Sequence, residues 1–389
     1  MSIIKSNSAL VVFEDTKLNP ESKFNVLNFL QSISINTSTK RLNQKYIGDK
    51  KINQTQFVKP EIELSFSYLH RIDFLNEILF GFEVNLGQLV NKSFAHNLIN
   101  NFSNSGAFIL LSNLQDEDLV FQIVNNNYNT NMIAMSFGNL FLNSYSFSYK
   151  IGSPPLVNCS FLTSEFSASN LINDSGFKYK TWDNQYKLLD TDFLNFYLSQ
   201  TNGSVGDNIV LQMKDFSIEN DLSQSLKIGP TINSLLDGVV QSIDVSLNLN
   251  RNTYYFFEGA NSPSSRKIIL PITCDLKIEG ISKSFALDNL SKLFTEDNYF
   301  NFTLLLGKDV NGLYDFYKMY FSKVKVNNFS YSIDLNGFLK YTLDCVTLVD
   351  DQEGLNIIAI NNKTNFTNYI YSSDNYIIYD NNGVSLAVR

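Results

Sequence analysis

Two stretches of this chain return far downstream at a constant distance, a pattern that restricts the fold to two similar units. Gln31-Ser32-Ile33-Ser34-Ile35 returns as Gln241-Ser242-Ile243-Asp244-Val245, 210 residues on, and Arg41 returns as Arg251 at the same distance. At that offset the alternating run Ile62, Leu64, Phe66 and Tyr68 corresponds to Ile272, Cys274, Leu276 and Ile278. A second block matches 184 residues on: Ser136-Phe137 with Tyr320-Phe321, and Tyr145, Phe147 and Tyr149 with Phe329, Tyr331 and Ile333. Past the next turn the offset reads as 186, aligning Val157 and Cys159 with Leu343 and Cys345. That places an indel between Gly152-Ser153-Pro154-Pro155 and Leu335-Asn336-Gly337-Phe338, where an Asn-Gly pair favours a two-residue hairpin turn. A chain rich in Asn, Ser, Phe and Tyr matches itself by chance. Constant offsets, matched alternation and an indel confined to a turn are hard to obtain together that way.

The matched runs alternate apolar and polar residues, which is the period of a half-buried strand. The expected fold is therefore mostly β, with two tandem copies of a small antiparallel sandwich or barrel domain. Each copy carries a short flanking helix, Asp73–Phe80 in the first and Ala286–Phe294 in the second, where Leu287, Leu290 and Phe294 form one stripe. The boundaries read as an N-terminal arm over 1–23, a first β domain over 24–166, and a connector over 167–233. A second β domain follows over 234–350, and a C-terminal β extension over 351–389. The first copy is longer by an insertion within residues 82–131. The hairpins Tyr145–Phe161 and Phe329–Leu348 are expected to be core-forming, with Tyr145, Phe147 and Tyr149, and separately Phe329, Tyr331 and Ile333, on one buried face.

At 389 residues the chain has length for two cores, and with 44% apolar residues, 32 Phe and 20 Tyr it has the material for them. The formal charge of −8 argues against a tightly held nucleic acid or anionic membrane, because phosphate affinity comes from Lys and Arg. Cys159, Cys274 and Cys345 are odd in number and widely spaced, with no Cys-x-x-Cys pair. They read as reduced core residues, which fits assembly in a reducing cytoplasm. The opening residues lack the apolar run of a secretion signal, and no stretch approaches the roughly 20 apolar residues of a membrane span.

No catalytic constellation emerges, and no catalytic, cofactor or metal residues are assigned. His70, beside Arg71, and His96 could each act as a general base, but neither accompanies a nucleophile motif. Asp116-Glu117-Asp118 and Asp350-Asp351-Gln352-Glu353 could attract a divalent cation but lack calcium-loop spacing, and read as solvated turns. Asp309-Val310-Asn311-Gly312 reads as a hairpin turn.

The order within each copy of strand, loop, long alternating strand, short helix and closing hairpin resembles the tail-tube family of tailed bacteriophages. The resemblance covers about two thirds of the chain and rests on pattern rather than on a diagnostic motif. It implies a small β-sandwich or barrel that assembles into stacked rings around a DNA channel. A doubled domain, similar to that of baseplate hub proteins, implies three chains in a ring with quasi-sixfold symmetry. The implied role is a structural, non-enzymatic protein of the virion tail, assembled in the host cytoplasm without cofactors. It would contact other tail proteins, and genomic DNA would pass without specific binding. A hub or adaptor ring at the tube's end is the nearest alternative, and a sandwich adhesin or carbohydrate-binding protein a more distant one.

Overall fold

The computed structural model describes residues 9–14, 24–39, 41–44, 54–57, 60–71, 75–80, 82, 84–86, 105–112, 132–170, 172–173, 177–180, 185–188, 216–219, 239–254, 265–281, 299–310, 313–333, 338–349, 355–359, 369–371, 376–379 and 385–387. In chain order the first strands are β1 (Ala9–Glu14), β2 (Phe24–Val26), β3 (Leu30–Ser38), β4 (Arg41–Gln44), β5 (Gln54–Phe57) and β6 (Glu61–Leu69). A helical turn, α1 (Leu75–Leu79), precedes β7 (Val84–Leu86), β8 (Ser105–Ser112), β9 (Met132–Lys150), β10 (Leu156–Thr163) and β11 (Glu165–Asn170). Three short strands, β12 (Ile172–Asn173), β13 (Phe177–Lys180) and β14 (Tyr186–Leu188), form a small sheet of their own. The second half holds β15 (Phe216–Glu219), β16 (Val239–Asn248), β17 (Arg251–Tyr254), β18 (Ser265–Ile268) and β19 (Ile272–Ile281). It continues with β20 (Phe300–Val310), β21 (Leu313–Ile333), β22 (Leu339–Val349) and β23 (Leu355–Ala359). A terminal sheet comprises β24 (Tyr369–Tyr371), β25 (Tyr376–Tyr379) and β26 (Ser385–Ala387).

Eight strands make the central sheet, in the order β3-β6-β10-β9-β16-β19-β22-β21, every neighbour antiparallel. The first four and the last four follow the same rule: first, second, fourth and third strand in chain order. Each half also has a second layer. β9 runs on from the central sheet to pair with β8 and β11, and β8 pairs with β1. β21 likewise runs on to pair with β20 and β23, and β20 pairs with β15. Thus β1, within residues 1–23, and β15, within 167–233, hold the same place in their halves.

The long strands serve two layers because they bend. β9 carries a left-handed residue at Asn139 (φ 47°) and skips Asn143 in its ladder with β10. β21 does the same at Lys323 (φ 52°) and Asn327. An extra residue on one strand raises local twist and turns the chain out of plane. A threonine hydroxyl supports each corner: Thr163 donates to the Gly138 carbonyl and Thr347 to that of Ser322. Gln31 in β3 and Gln241 in β16 are also skipped alike.

The ladders revise the alignment read from sequence. Ile33 lies opposite Phe66 and Ile243 opposite Ile278, while Tyr145 faces Cys159 and Phe329 faces Leu343. By place in the sheet, Phe66 answers to Ile278 and Cys159 to Leu343, each two residues from its sequence match. The difference in length falls between β3 and β6, not in the β9–β10 turn. A two-residue slip leaves every side chain on its own face, so alternation alone cannot detect it. At one matched place volume is exchanged across the ladder: Tyr68 faces Val157, whereas Gly280 faces Tyr341. A Cβ on Gly280 would meet the Tyr341 ring at 2.6 Å, so a larger residue there would force the Tyr341 side chain to shift.

The core lies under the apolar face. Phe13 of β1 meets Phe66, Phe80 and Phe161 at ring-centroid distances of 6.0, 5.4 and 5.7 Å. Leu79, Phe80 and Phe82 bring α1 and its exit onto the same cluster. α1 falls inside the predicted Asp73–Phe80 segment; Ala286–Phe294, His96, Asp116–Asp118 and Asp350–Glu353 lie outside the described residues. Val310 pairs with Leu313, as a hairpin at Asp309–Gly312 requires. Cys159, Cys274 and Cys345 are buried and unbridged.

One expectation about the core is corrected. Tyr145, Phe147 and Tyr149 are buried, but Tyr331 and Ile333 are 52% and 64% exposed. β16 flanks the outer half of β9, while among the described residues Asn328–Ile333 pair with β22 alone. The apolar face exists in both hairpins; among the described residues its cover exists in one.

Candidate functional site

His70 is fully buried, stacked on Phe147, with its Nδ1 2.6 Å from the Tyr149 hydroxyl and its Nε2 3.4 Å from Glu77 Oε1. Tyr68 and Tyr145 donate to the same Glu77 oxygen at 2.8 and 3.2 Å. Asn76 closes the other side by accepting from the Asn28 amide and donating to its carbonyl. Buried polar groups in such a network fasten the α1 turn to the sheet. Among the described residues no group of His, Cys, Asp and Glu could hold a metal ion, and no helix is long and apolar enough to cross a membrane.

The network sets a pH limit on the fold. Burial, reinforced by Glu77, pushes the Tyr68, Tyr145 and Tyr149 hydroxyls well above their ordinary value of 10.0, and burial raises the Cys159 thiol above 9.0. These folded-state values exceed the unfolded ones, so the stability they carry is complete below the unfolded values. It is lost as pH rises from about 9–10 toward the folded values. Melting temperature should hold between neutrality and about pH 9 and fall progressively above pH 10. Melts across that range, with tyrosinate absorbance followed in parallel, check it. Ionisation of these tyrosines without loss of fold would contradict the assignment.

The opposite face of the central sheet is polar, with Ser32, Asn158 and Ser246 exposed, Ser67 and Ser146 half-buried and Ser160 buried. Its rungs are made of small polar groups: Ser32, Ser67, Asn158, Ser146 and Ser246 form one line, and Ser34, Ser65, Ser160, Ser144 and Asn248 the next. Further along, Ser148, Asp244, Lys277, Asp344 and Asn328 lie side by side. Among the described residues the carboxylates Glu61, Glu63, Asp244, Asp275, Glu279 and Asp344 outnumber Lys150, Lys277, Lys325 and Lys340, even with Glu61 paired to Arg266. Lys277 is itself engaged with Glu279 at 2.6 Å, an ion pair that holds the Glu279 carboxyl below its usual range. Among the described residues such a face offers phosphates few free cations, and its central rungs carry short side chains.

The two halves meet along β9 and β16. Ile243 lies opposite Tyr149, Val245 opposite Phe147 and Leu247 opposite Tyr145, all six buried. Main-chain bonds from Ile151 N to the Gln241 carbonyl and from Leu249 N to the Asn143 carbonyl, both 2.9 Å, extend the seam at each end. Two arginines from β17 and β18 clamp it. Arg251 donates to the Leu142 carbonyl at 2.6 Å and to that of Arg266 at 3.0 Å. Arg266 pairs with Glu61 and donates to Ser164 at 3.1 Å. Both guanidinium groups lie over the Phe141 ring, at 5.5 and 5.9 Å. Burial, then the neighbouring Arg266 charge, lowers Arg251 to about 10. The sequence repeat marked Arg251 without revealing this role.

The sheet ends in two strands with one open side among the described residues: β3, which pairs with β6 alone, and the Asn328–Ile333 stretch of β21. Ile35 is 38% exposed on the first, while Val245, at the matching place in β16, is 1% exposed. Compared with protein-family models and with curated proteins, the chain matches none.

Proposed function

We propose that this chain is a structural, non-catalytic subunit of a bacteriophage tail, carrying two diverged copies of one tail-tube-like domain and building rings around a channel that conducts DNA. The observation that carries the reading is the β9–β16 seam, where two four-stranded sheets of like order join side by side and, among the described residues, leave an open strand at each end. A unit that joins to its like by one edge and keeps the other edge open adds head to tail, and such addition closes into a ring when the rotation per step divides a full turn. Three chains supply six sheets. The net acidic balance of its described residues then suits the channel wall, because DNA passing along it meets few cations to release counterions against. The reading places the protein in the virion tail, assembled in the host cytoplasm, with other tail proteins at the ring faces.

Negative-stain micrographs and mass measurement of the purified chain test the proposal. The expected result is rings of three chains with apparent sixfold symmetry. Stacks of such rings point to a tube, and single rings to a hub or adaptor. A chain that stays monomeric at high concentration, or a ring of six whole chains, overturns the reading.

A further inference from the structure

We propose that the partner for the two open strands is a second copy of this chain, joined by pairing Asn328–Ile333 of one copy with Ile33–Ser38 of the next in the register already used by β9 and β16. The inference rests on the ring-building reading above and specifies its contact. Transferring the seam by place in the sheet sets Ile33 opposite Ile333, Ile35 opposite Tyr331 and Thr37 opposite Phe329 on the apolar face. Ser34 then faces Ser332, Asn36 faces Ser330 and Ser38 faces Asn328 on the polar face.

Three observations argue for this occupant rather than an unrelated strand. First, exposure is complementary: Ile35, Tyr331 and Ile333 stand out at 38%, 52% and 64%, while their counterparts Val245, Phe147 and Tyr149 are each 1% exposed once paired. Second, both edges keep the irregularities of the seam. β3 skips Gln31 as β16 skips Gln241, and β21 skips Asn327 as β9 skips Asn143, so twist and register match. Third, the hairpin β4–β5 follows β3 as the clamping hairpin β17–β18 follows β16. Unpaired edges bearing apolar residues are pairing templates, and an antiparallel partner satisfies their main-chain groups. The contact is heterologous, one edge to the other, so a single step propagates.

Cysteine pairing tests it on the full chain. Opposed Cα atoms in an antiparallel ladder lie about 4.5–5.5 Å apart, within disulfide reach. Chains carrying Ser34→Cys and Ser332→Cys together should cross-link into multimers under mild oxidation, and Asn36→Cys with Ser332→Cys, one rung out, should yield at least tenfold less. Ile35→Lys should abolish association in light scattering with no change in melting of the monomer. Multimers that form normally without the Ser34–Ser332 cross-link, or that survive Ile35→Lys, overturn this contact and leave the ring reading standing. Chains that never associate under any condition overturn both.

Discussion

Phe13→Ala is expected to lower the unfolding free energy by about 3–5 kcal/mol, the usual cost of truncating a buried aromatic. Phe13 lies in a segment that sequence reading treats as an arm, yet it is 1% exposed and touches rings from β6, β10 and the end of α1. The Phe66–Phe161 and Phe80–Phe161 contacts, at 5.9 and 5.1 Å, hold the rest of the cluster in place, so the surroundings cannot collapse into the vacated volume. β1 also closes the outer layer through six ladder partners from Ala9–Leu111 to Glu14–Gly106. Urea titration compares the variant with wild type and with Ile333→Ala, whose side chain is 64% exposed and should cost less than about 0.5 kcal/mol in the monomer. Equal midpoints for Phe13→Ala and wild type would make β1 a detachable arm.

The strands were the legible part of this sequence. β6, β10 and β22 alternate buried and open side chains along most of their length, and their burial repeats the pattern of the residues themselves. Alternation names a face and does not say what covers it. Phe147 and Tyr331 look alike in sequence; a flanking strand buries the first, and its absence among the described residues leaves the second exposed. The same periodicity concealed the two-residue slip between β3 and β6. β1 and β15 share a place in the fold but only a terminal Glu and apolar neighbours in sequence, Ala-Leu-Val-Val-Phe-Glu against Phe-Ser-Ile-Glu. Short strands are specified by what they pair with, so their likeness left no repeat to find. The seam's register was beyond sequence reading too, since edge order depends on which of several open strands meet.

The buried polar network was the least legible feature, and it carries the second large effect. Glu77 is the lone carboxylate in the turn Leu75-Asn76-Glu77-Ile78-Leu79, and such a residue either faces water or has partners waiting. Here it is fully buried and accepts from Tyr68 and Tyr145, with His70 Nε2 at 3.4 Å. Glu77→Ala removes the acceptor and strands both hydroxyls, at about 1–3 kcal/mol for each buried group left unmade. Glu77→Gln keeps a carbonyl oxygen of the same reach and size, so it should recover most of that loss. Tyr68→Phe isolates one arm: in the Glu77→Ala background its effect should shrink, because the bond it removes is already gone. Urea titrations of the three single variants and the Tyr68→Phe/Glu77→Ala pair measure this. Additive losses, or a Gln variant as unstable as the Ala one, would show that Glu77 holds α1 by packing rather than as a hydrogen-bond acceptor.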